Sequence, residues 1–211
     1  MPFQYACFIS YPHGKGRLVK SFIDELRNAL TDYLEPFFGS GQLVFLDEDR
    51  MSGGDILDDK LAVELCKSVC MILVFSPRYF DPTHPYCARE YRAMEALEKQ
   101  RLARVSKWSD HGLIIPVVFR DPDGLPEPLK RRVYWDFSTY TLVEPGIGNN
   151  KEYASKIVKI AETIHKWYKE LETCTPHPCT NCDKYQLPSE TDVANWLQTV
   201  LSPAQPLPGR G

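Results

Sequence analysis

Apolar residues along the chain occur either in short continuous runs or at three- and four-residue intervals. Short runs bounded by turn residues are typical of buried β-strands, and the wider spacing is typical of amphipathic helices. Five runs predict strands, at residues 5–10, 43–46, 69–75, 113–119 and 133–137. Pro116 removes one backbone donor from the fourth run and indicates an irregularity there.

Helical spacing separates these runs. It predicts helices at residues 18–34, 56–67, 86–103 and 151–173, and at most a short helix at 122–129. In the first helix the expected buried stripe is Leu18, Phe22, Leu26, Leu30 and Tyr33. Alternation of strand and helix predicts a five-stranded parallel sheet with helices on both faces. We therefore expect a flavodoxin-like, doubly wound α/β domain over residues 1–173.

A tail follows the predicted domain. Residues 174–201 contain cysteines, a histidine and a short helix at 191–201, which Ser189 would cap together with Asp192 three residues on. Residues 202–211 are rich in proline and glycine and too poor in apolar residues to fold alone. They are expected to be a linker or a terminus.

Composition and charge exclude some classes of binding partner. The 211 residues are 43% hydrophobic and carry a net charge of -3, without a long run of Lys or Arg. Phosphate binding needs a concentrated basic face, so nucleic acid is not an expected partner. A basic leader is missing at the N-terminus, and apolar runs stay far below the ~20 residues that span a bilayer. We expect a cytosolic protein without a membrane partner.

The seven cysteines fall into two groups. Cys7, Cys66, Cys70 and Cys87 lie in or beside apolar segments and are expected to be buried thiols in a reducing compartment.

The second group lies in the tail. Cys174, His177, Cys179 and Cys182 offer four soft ligands within nine residues, the kind that zinc binds tetrahedrally. Their spacing matches no familiar zinc finger, so the alternative is a tail without metal whose cysteines are prone to form disulfides. Both interpretations stay open.

Sequence motifs exclude several doubly wound families. The turn after the first strand holds only Gly14-Lys15-Gly16, so the dinucleotide-binding GxGxxG fingerprint is missing, and GxxxxGK[ST] does not occur. A phospho-receiver needs acidic residues where Ser10-Tyr11 and Ser76-Pro77 stand. The Ser/Thr-rich phosphate loop of a flavodoxin is also missing.

Tyr86 and Glu90 provide the candidate chemistry. They stand four residues apart near the start of a helix, so both side chains lie on one face, close to the strand edge where such sheets bind ligands. One carboxylate beside an aromatic ring suits cleavage of a bond to a sugar whose leaving group is already a cation. The simpler alternative is a solvated Glu90 that favours the positive end of the helix dipole.

Four segments together resemble the Toll/interleukin-1 receptor (TIR) family. Phe8-Ile-Ser-Tyr11 resembles its opening motif, and Phe45-Leu-Asp47 with Gly53-Gly54 resembles its second strand and the following BB loop. Val74-Phe-Ser-Pro77 resembles the end of its third strand, and Tyr86-Cys87-x-x-Glu90 resembles its Trp-Cys-x-x-Glu motif, with Tyr in place of the commoner Trp. The resemblance covers roughly residues 5–170.

The resemblance implies an activity. Enzymatic TIR domains cleave NAD+ between nicotinamide and ribose, with the matching glutamate, here Glu90, as the catalytic residue. NAD+ is then a substrate, and no cofactor is expected. Because nicotinamide leaves as a neutral ring, one carboxylate suffices where ordinary glycosidases need two. The products would be ADP-ribose, a cyclic ADP-ribose isomer or an ADP-ribose conjugate.

Further substrate-binding candidates come from loops at the same sheet edge. They are Ser10, Tyr11, Asp47, Gly53, Gly54, Ile56 and Ser76, with Tyr86 as the stacking residue. Each has a simpler interpretation, such as local backbone bonding, loop capping or a turn. His13 is a candidate for pyrophosphate contact or, more simply, a solvated loop histidine.

Resemblance to stand-alone microbial TIR proteins implies a role in antiviral defence, through NAD+ depletion or a nucleotide signal to an effector. Family members are commonly activated by TIR–TIR contacts, in which the BB loop packs on a neighbour. The alternative function is a non-catalytic TIR adaptor, or a virulence factor that mimics host adaptors.

Overall fold

The computed structural model of the protein describes residues 3–14, 16–39, 41, 43–46, 57–105, 112–140 and 150–201. Within these residues, strands and helices alternate as the sequence predicts. The strands are β1 (Tyr5–Ser10), β2 (Val44–Leu46), β3 (Ser68–Phe75), β4 (Ile114–Val118) and β5 (Trp135–Asp136). The helices are α1 (Arg17–Phe38), α2 (Leu57–Cys66), α3 (Tyr86–Leu102), α4 (Glu127–Lys130), α5 (Lys151–Glu172) and α6 (Glu190–Leu201).

The strands form one sheet in the order β2-β1-β3-β4-β5, and every pairing is parallel. All residues of β1 and β3 are buried, as expected for central strands that are covered on both faces. Helices α1 and α5 cover one face, while α2 and α3 pack together on the other. This arrangement confirms the flavodoxin-like fold class.

The chain changes direction across the sheet between β1 and β3. From β1 it crosses to β2 on one side and then returns past β1 to β3 on the other. The loops that leave the carboxyl ends of β1 and β3 therefore diverge, and a crevice opens between them.

Two residues of the buried stripe predicted for α1 are wrong. The buried stripe of α1 consists of Phe22, Ile23, Leu26, Leu30 and Leu34. Leu18 is 55% exposed in the first turn, and Tyr33 is 40% exposed because Leu34, four residues after Leu30, continues the stripe instead.

The edge of the sheet is shorter than expected. Strand β5 spans two residues rather than five, and Val133 is 88% exposed. Strand β4 pairs with β3 without interruption through Pro116, opposite Leu73. Because β5 reaches β4 only at Val117 and Val118, Pro116 lies where the sheet is open on one side, a position that tolerates proline.

The tail packs on α3. The ring of Trp196 stacks on Tyr91 at 5.5 Å between centroids and meets Phe80 edge-on at 5.4 Å. The hydroxyl of Tyr185 donates to the Ala93 carbonyl at 2.7 Å. As predicted, Ser189 caps α6 by accepting from the Asp192 N–H at 3.2 Å. Residues 174–201 therefore support the helix that carries Glu90.

A largely buried ion pair fixes the other end of α3. The guanidinium of Arg132 donates to both carboxylate oxygens of Glu98, at 2.8 and 2.9 Å, and the Leu113 N–H donates to the same carboxylate. Gly112 leaves room for the pair, since a Cβ at that position would clash with both side chains. In the described residues, no helix is long and apolar enough to cross a membrane.

We expect Glu98→Gln to lower the free energy of unfolding by about 3 kcal/mol, because it leaves the largely buried Arg132 charge without a carboxylate. Urea denaturation followed by circular dichroism measures the change. Glu127→Gln is the matched control: its exposed pair with Lys130 is worth less than about 1 kcal/mol. Equal losses in both variants would show that the Glu98–Arg132 pair has no special role.

Candidate active site

The candidate site lies where β1 and β3 end and α3 begins. Ser10 is the last residue of β1, and the turn after β3 is closed by the Tyr79 N–H, which donates to the Ser76 carbonyl at 2.8 Å. Helix α3 starts at Tyr86, directly after Pro85, so Glu90 stands in its second turn. The position matches the crevice at which open α/β sheets bind ligands.

Glu90 is 3% exposed and is held by a short chain of hydrogen bonds. The Ser10 hydroxyl donates to Glu90 Oε2 at 2.5 Å, and Ser10 Oγ lies 2.6 Å from the Tyr79 hydroxyl. Because a serine hydroxyl has one proton, which goes to Glu90, the Tyr79 O–H must donate to Ser10. The carboxylate is therefore oriented through two hydroxyl groups in series.

Tyr79 is suited to remain a donor. Its ring is fully buried, and this burial raises the pKa of Tyr79 well above its ordinary value, with smaller contributions from the Cys87 and Glu90 side chains. The phenol therefore keeps its proton at neutral pH. A fixed donor at this position favours one orientation of the Ser10 hydroxyl.

Glu90 lines a cavity of about 230 Å³. Its wall combines aromatic, apolar and charged side chains. They are Tyr11, Pro12, His13, Leu61, Arg78, Asp81, His84, Tyr86, Cys87 and Glu90. Tyr86 is 43% exposed, so part of its ring is accessible, and Tyr11 stacks on His13 at 4.7 Å. The cavity therefore offers one buried carboxylate between aromatic rings and a partly basic rim.

A second carboxylate, that of Asp81, also lines the cavity but is engaged by its own turn. It accepts from the Thr83 N–H at 2.9 Å and from the Thr83 hydroxyl at 2.6 Å. Arg78 lies 3.7 Å away and His84 3.6 Å away. Hydrogen bonds from Thr83 hold the pKa of Asp81 below its usual value, so this side chain stays ionised and is a poor proton donor.

The structure brings several predicted site residues together. Tyr11, Tyr86 and Glu90 line the cavity, and Ser10 lies behind Glu90 as its hydrogen-bond donor. The burial of Glu90 contradicts the alternative of a solvated surface charge. Ser76 closes the turn after β3 and is not part of the cavity wall that the described residues form.

The remaining predicted residues lie outside the described part of the chain. They are Asp47, Gly53, Gly54 and Ile56. In sequence they belong to the segment that connects β2 to α2. Their roles stay predictions.

Several residues of the site were not predicted from the sequence, among them Leu61, Tyr79 and Asp81. Leu61, on α2, forms part of the cavity wall. Tyr79 and Asp81 follow the Ser76-Pro77 turn, and no spacing rule relates them to Ser10 or Glu90. The only available signal was that polar and aromatic residues follow the most apolar strand of the chain.

The cysteines differ from expectation at one position. Cys66, which we expected to be a buried thiol, forms a disulfide with Cys182. This disulfide agrees with the alternative in which the tail binds no metal and its cysteines form disulfides. Cys7, Cys70 and Cys87 are buried as expected. Metal binding by Cys174, His177, Cys179 and Cys182 stays a prediction.

Comparison with known proteins assigns the chain to a protein family. No curated protein matches the chain significantly. A family model described as TIR domain matches residues 7–145, which is more than half of the chain and includes Ser10, Tyr86 and Glu90. The match agrees with the sheet order and with the motifs found in the sequence. The protein therefore belongs to the TIR domain family.

Proposed function

We propose that the protein cleaves the nicotinamide–ribose bond of NAD+ and that Glu90 is the catalytic residue. The TIR family includes enzymes with this activity. The observation that carries the proposal is the buried Glu90 carboxylate, oriented by Ser10 and open to a cavity with an aromatic wall. A charge placed in this way is costly for a protein that only needs to fold.

One carboxylate accounts for the reaction. When the bond between nicotinamide and the ribose carbon breaks, its electron pair moves to the ring nitrogen and nicotinamide leaves as a neutral molecule. Positive charge then grows on the ribose, and the Glu90 carboxylate stabilises it from a fixed position. Water, or another nucleophile such as a hydroxyl group, then bonds to the ribose carbon and releases its proton to solvent, which gives ADP-ribose, a cyclic isomer or a conjugate. No general acid is required, which agrees with an Asp81 carboxylate that is engaged by Thr83.

Ser10 and Tyr79 have a positioning role in this proposal. Burial alone disfavours an ionised carboxylate, whereas a hydrogen bond donated to it favours the charged form. The Ser10 hydroxyl supplies that bond, and Tyr79 fixes the direction in which Ser10 donates. The carboxylate needs no reorganisation when charge develops on the sugar.

Tyr86 is the proposed stacking surface for nicotinamide. Its ring lies beside the Arg89 guanidinium, at 5.9 Å from the centroid. Arg89 in turn donates to Asp58 at 2.8 Å and to the Pro188 carbonyl at 2.8 Å. Contacts from α2 and from the tail therefore restrict the first turn of α3, where Tyr86 stands.

Assembly is part of the proposal. The cavity of about 230 Å³ is smaller than the ~300–1,000 Å³ of typical ligand pockets, so a dinucleotide would extend beyond it. TIR domains commonly self-associate. We propose that TIR–TIR contacts complete the binding site, and that the product depletes NAD+ or signals to an effector in antiviral defence.

We expect Glu90→Gln to reduce nicotinamide release by at least ~100-fold, because the amide keeps the shape but not the charge that stabilises the sugar cation. Chromatography of concentrated protein incubated with NAD+ measures release, and mass analysis identifies the second product. Glu95→Gln, on the same helix but outside the cavity, should keep the activity.

Circular dichroism must show that both variants are folded. Full turnover by Glu90→Gln would exclude Glu90 from catalysis. If the unmodified protein released no nicotinamide even when concentrated, the adaptor function would replace the enzymatic one.

A double-mutant cycle tests the hydroxyl chain. We expect Ser10→Ala to lower kcat by ~10–100-fold with little change in KM, since it affects only the orientation of the carboxylate. Because Tyr79 acts through Ser10, adding Tyr79→Phe to Ser10→Ala should cause no further loss. Tyr33→Phe, on the exposed side of α1, is the control for removal of a tyrosine hydroxyl. Additive effects of the two substitutions on kcat would contradict the series arrangement.

A further inference from the structure

Three sulfur atoms from separate parts of the sequence meet beside α2. Cys66 ends α2, and Cys179 and Cys182 belong to the tail. Cys66 and Cys182 are bonded, and Cys179 Sγ lies 3.3 Å from Cys182 Sγ. All three sulfur atoms lie within 4.8 Å of one another. The proposed NAD+ chemistry uses none of them.

The chain brings the two tail cysteines together through a tight turn. Asn181 adopts a left-handed conformation, with φ of 62°, which asparagine tolerates better than most residues. The sequence Cys179-Thr-Asn-Cys182 therefore returns on itself and presents both sulfur atoms to Cys66. A Cys-x-x-Cys turn facing a third cysteine is a recurrent arrangement for binding zinc.

A buried positive charge lies beside this cluster. The fully buried Arg101 guanidinium donates to the carbonyls of Cys66 at 2.6 Å, Ser68 at 2.8 Å and Val69 at 3.1 Å. These acceptors are neutral. Within the described residues, no carboxylate forms an ion pair with Arg101, and its Nε has no hydrogen-bond partner. A buried cation of this kind favours a compensating negative charge nearby.

We infer that, in the reduced protein, Cys66, Cys179 and Cys182 bind one zinc ion. Three thiolates and Zn²⁺ carry a net charge of about −1, which offsets the single charge of Arg101. In a tetrahedral site with Zn–S bonds of ~2.3 Å, the sulfur atoms stand ~3.8 Å apart, within the spread of this cluster. Water would take the fourth position.

The zinc site that we infer differs from the set suggested by sequence. His177 accepts from the Cys179 N–H through Nδ1 at 3.0 Å, and its Nε2 lies 3.4 Å from Glu172. The sulfur of Cys174 faces the Glu170 carbonyl at 3.6 Å instead of the cluster. Cys174 and His177 therefore make structural contacts within the tail and are not ligands in the site that we infer. Cys66 is a ligand instead.

The Cys66–Cys182 disulfide must be reduced before zinc can bind. A thiol reductant supplies two electrons and two protons to Cys66 and Cys182 and is itself oxidised to a disulfide. When zinc binds, the three thiols release three protons and coordinate as thiolates. In either form α2 stays linked to the tail, which in turn packs on α3 through Trp196.

Metal analysis of the full chain tests the inference. The protein is reduced with a phosphine, which brings no competing thiol, incubated with Zn²⁺ and desalted. We expect about one zinc per chain and, with Co²⁺ as the probe, the absorption of a tetrahedral thiolate site. Cys66→Ser, Cys179→Ser or Cys182→Ser should each weaken zinc binding by more than ~100-fold, beyond the ~10–100-fold loss that follows from changing residues that only contact the ligands.

Two variants in the same tail serve as controls. Cys174→Ser and His177→Gln should bind zinc like the unmodified protein. Cys179→Ser retains both cysteines of the disulfide, so its fold can be verified in the oxidised form. A reduced protein with accessible thiols and no bound zinc would overturn the inference. Zinc binding that survives Cys66→Ser but is lost in Cys174→Ser or His177→Gln would overturn it in favour of the sequence-based set.

Discussion

Helix α3 depends on hydrogen bonds from other elements to the charged side chains that it buries. Four charged side chains on this helix are almost removed from solvent, and the partner of each comes from another element. The buried side chains are Arg89, Glu90, Glu98 and Arg101. Their partners are Asp58 on α2, Ser10 on β1, Arg132 after α4 and the carbonyls around the junction of α2 and β3. Since a buried charged group without hydrogen-bond partners costs several kcal/mol, α3 is stable only in the position that gives all four side chains their partners.

This constraint separates a structural end of α3 from a candidate active end. Glu98 and Arg101, in the last turns, find strong partners: a bidentate arginine and a set of carbonyls. Glu90, in the second turn, receives a neutral hydroxyl from Ser10 and faces a cavity.

The sequence predicted the layers of the fold because apolar periodicity is a local property. The runs that became β1 and β3 are continuous and buried on both faces, so their order and the crevice between them follow from connectivity. Tyr86 and Glu90 could be placed together because helical spacing alone joins them. Their motif also lies within the matched TIR domain.

Apolar periodicity could not predict contacts between residues that are far apart in sequence. Tyr79 reaches Ser10 over 69 positions, and Cys66 reaches Cys182 over 116. Helix α3 itself is rich in charged residues, which a pattern analysis assigns to solvent. The buried charges became apparent only when their partners were known, since burial of Glu98 makes physical sense only beside Arg132.

The tail shows how contacts distant from the cavity act on it. Pro188 accepts from Arg89, the residue directly before Glu90, and Trp196 stacks on Tyr91, the residue directly after it. Both flanking side chains contact the tail and neither lines the cavity, because neighbouring residues on a helix face different directions. Support from residues 174–201 therefore fixes the rotation of α3 about its axis. That rotation keeps the Glu90 carboxylate within hydrogen-bond distance of Ser10.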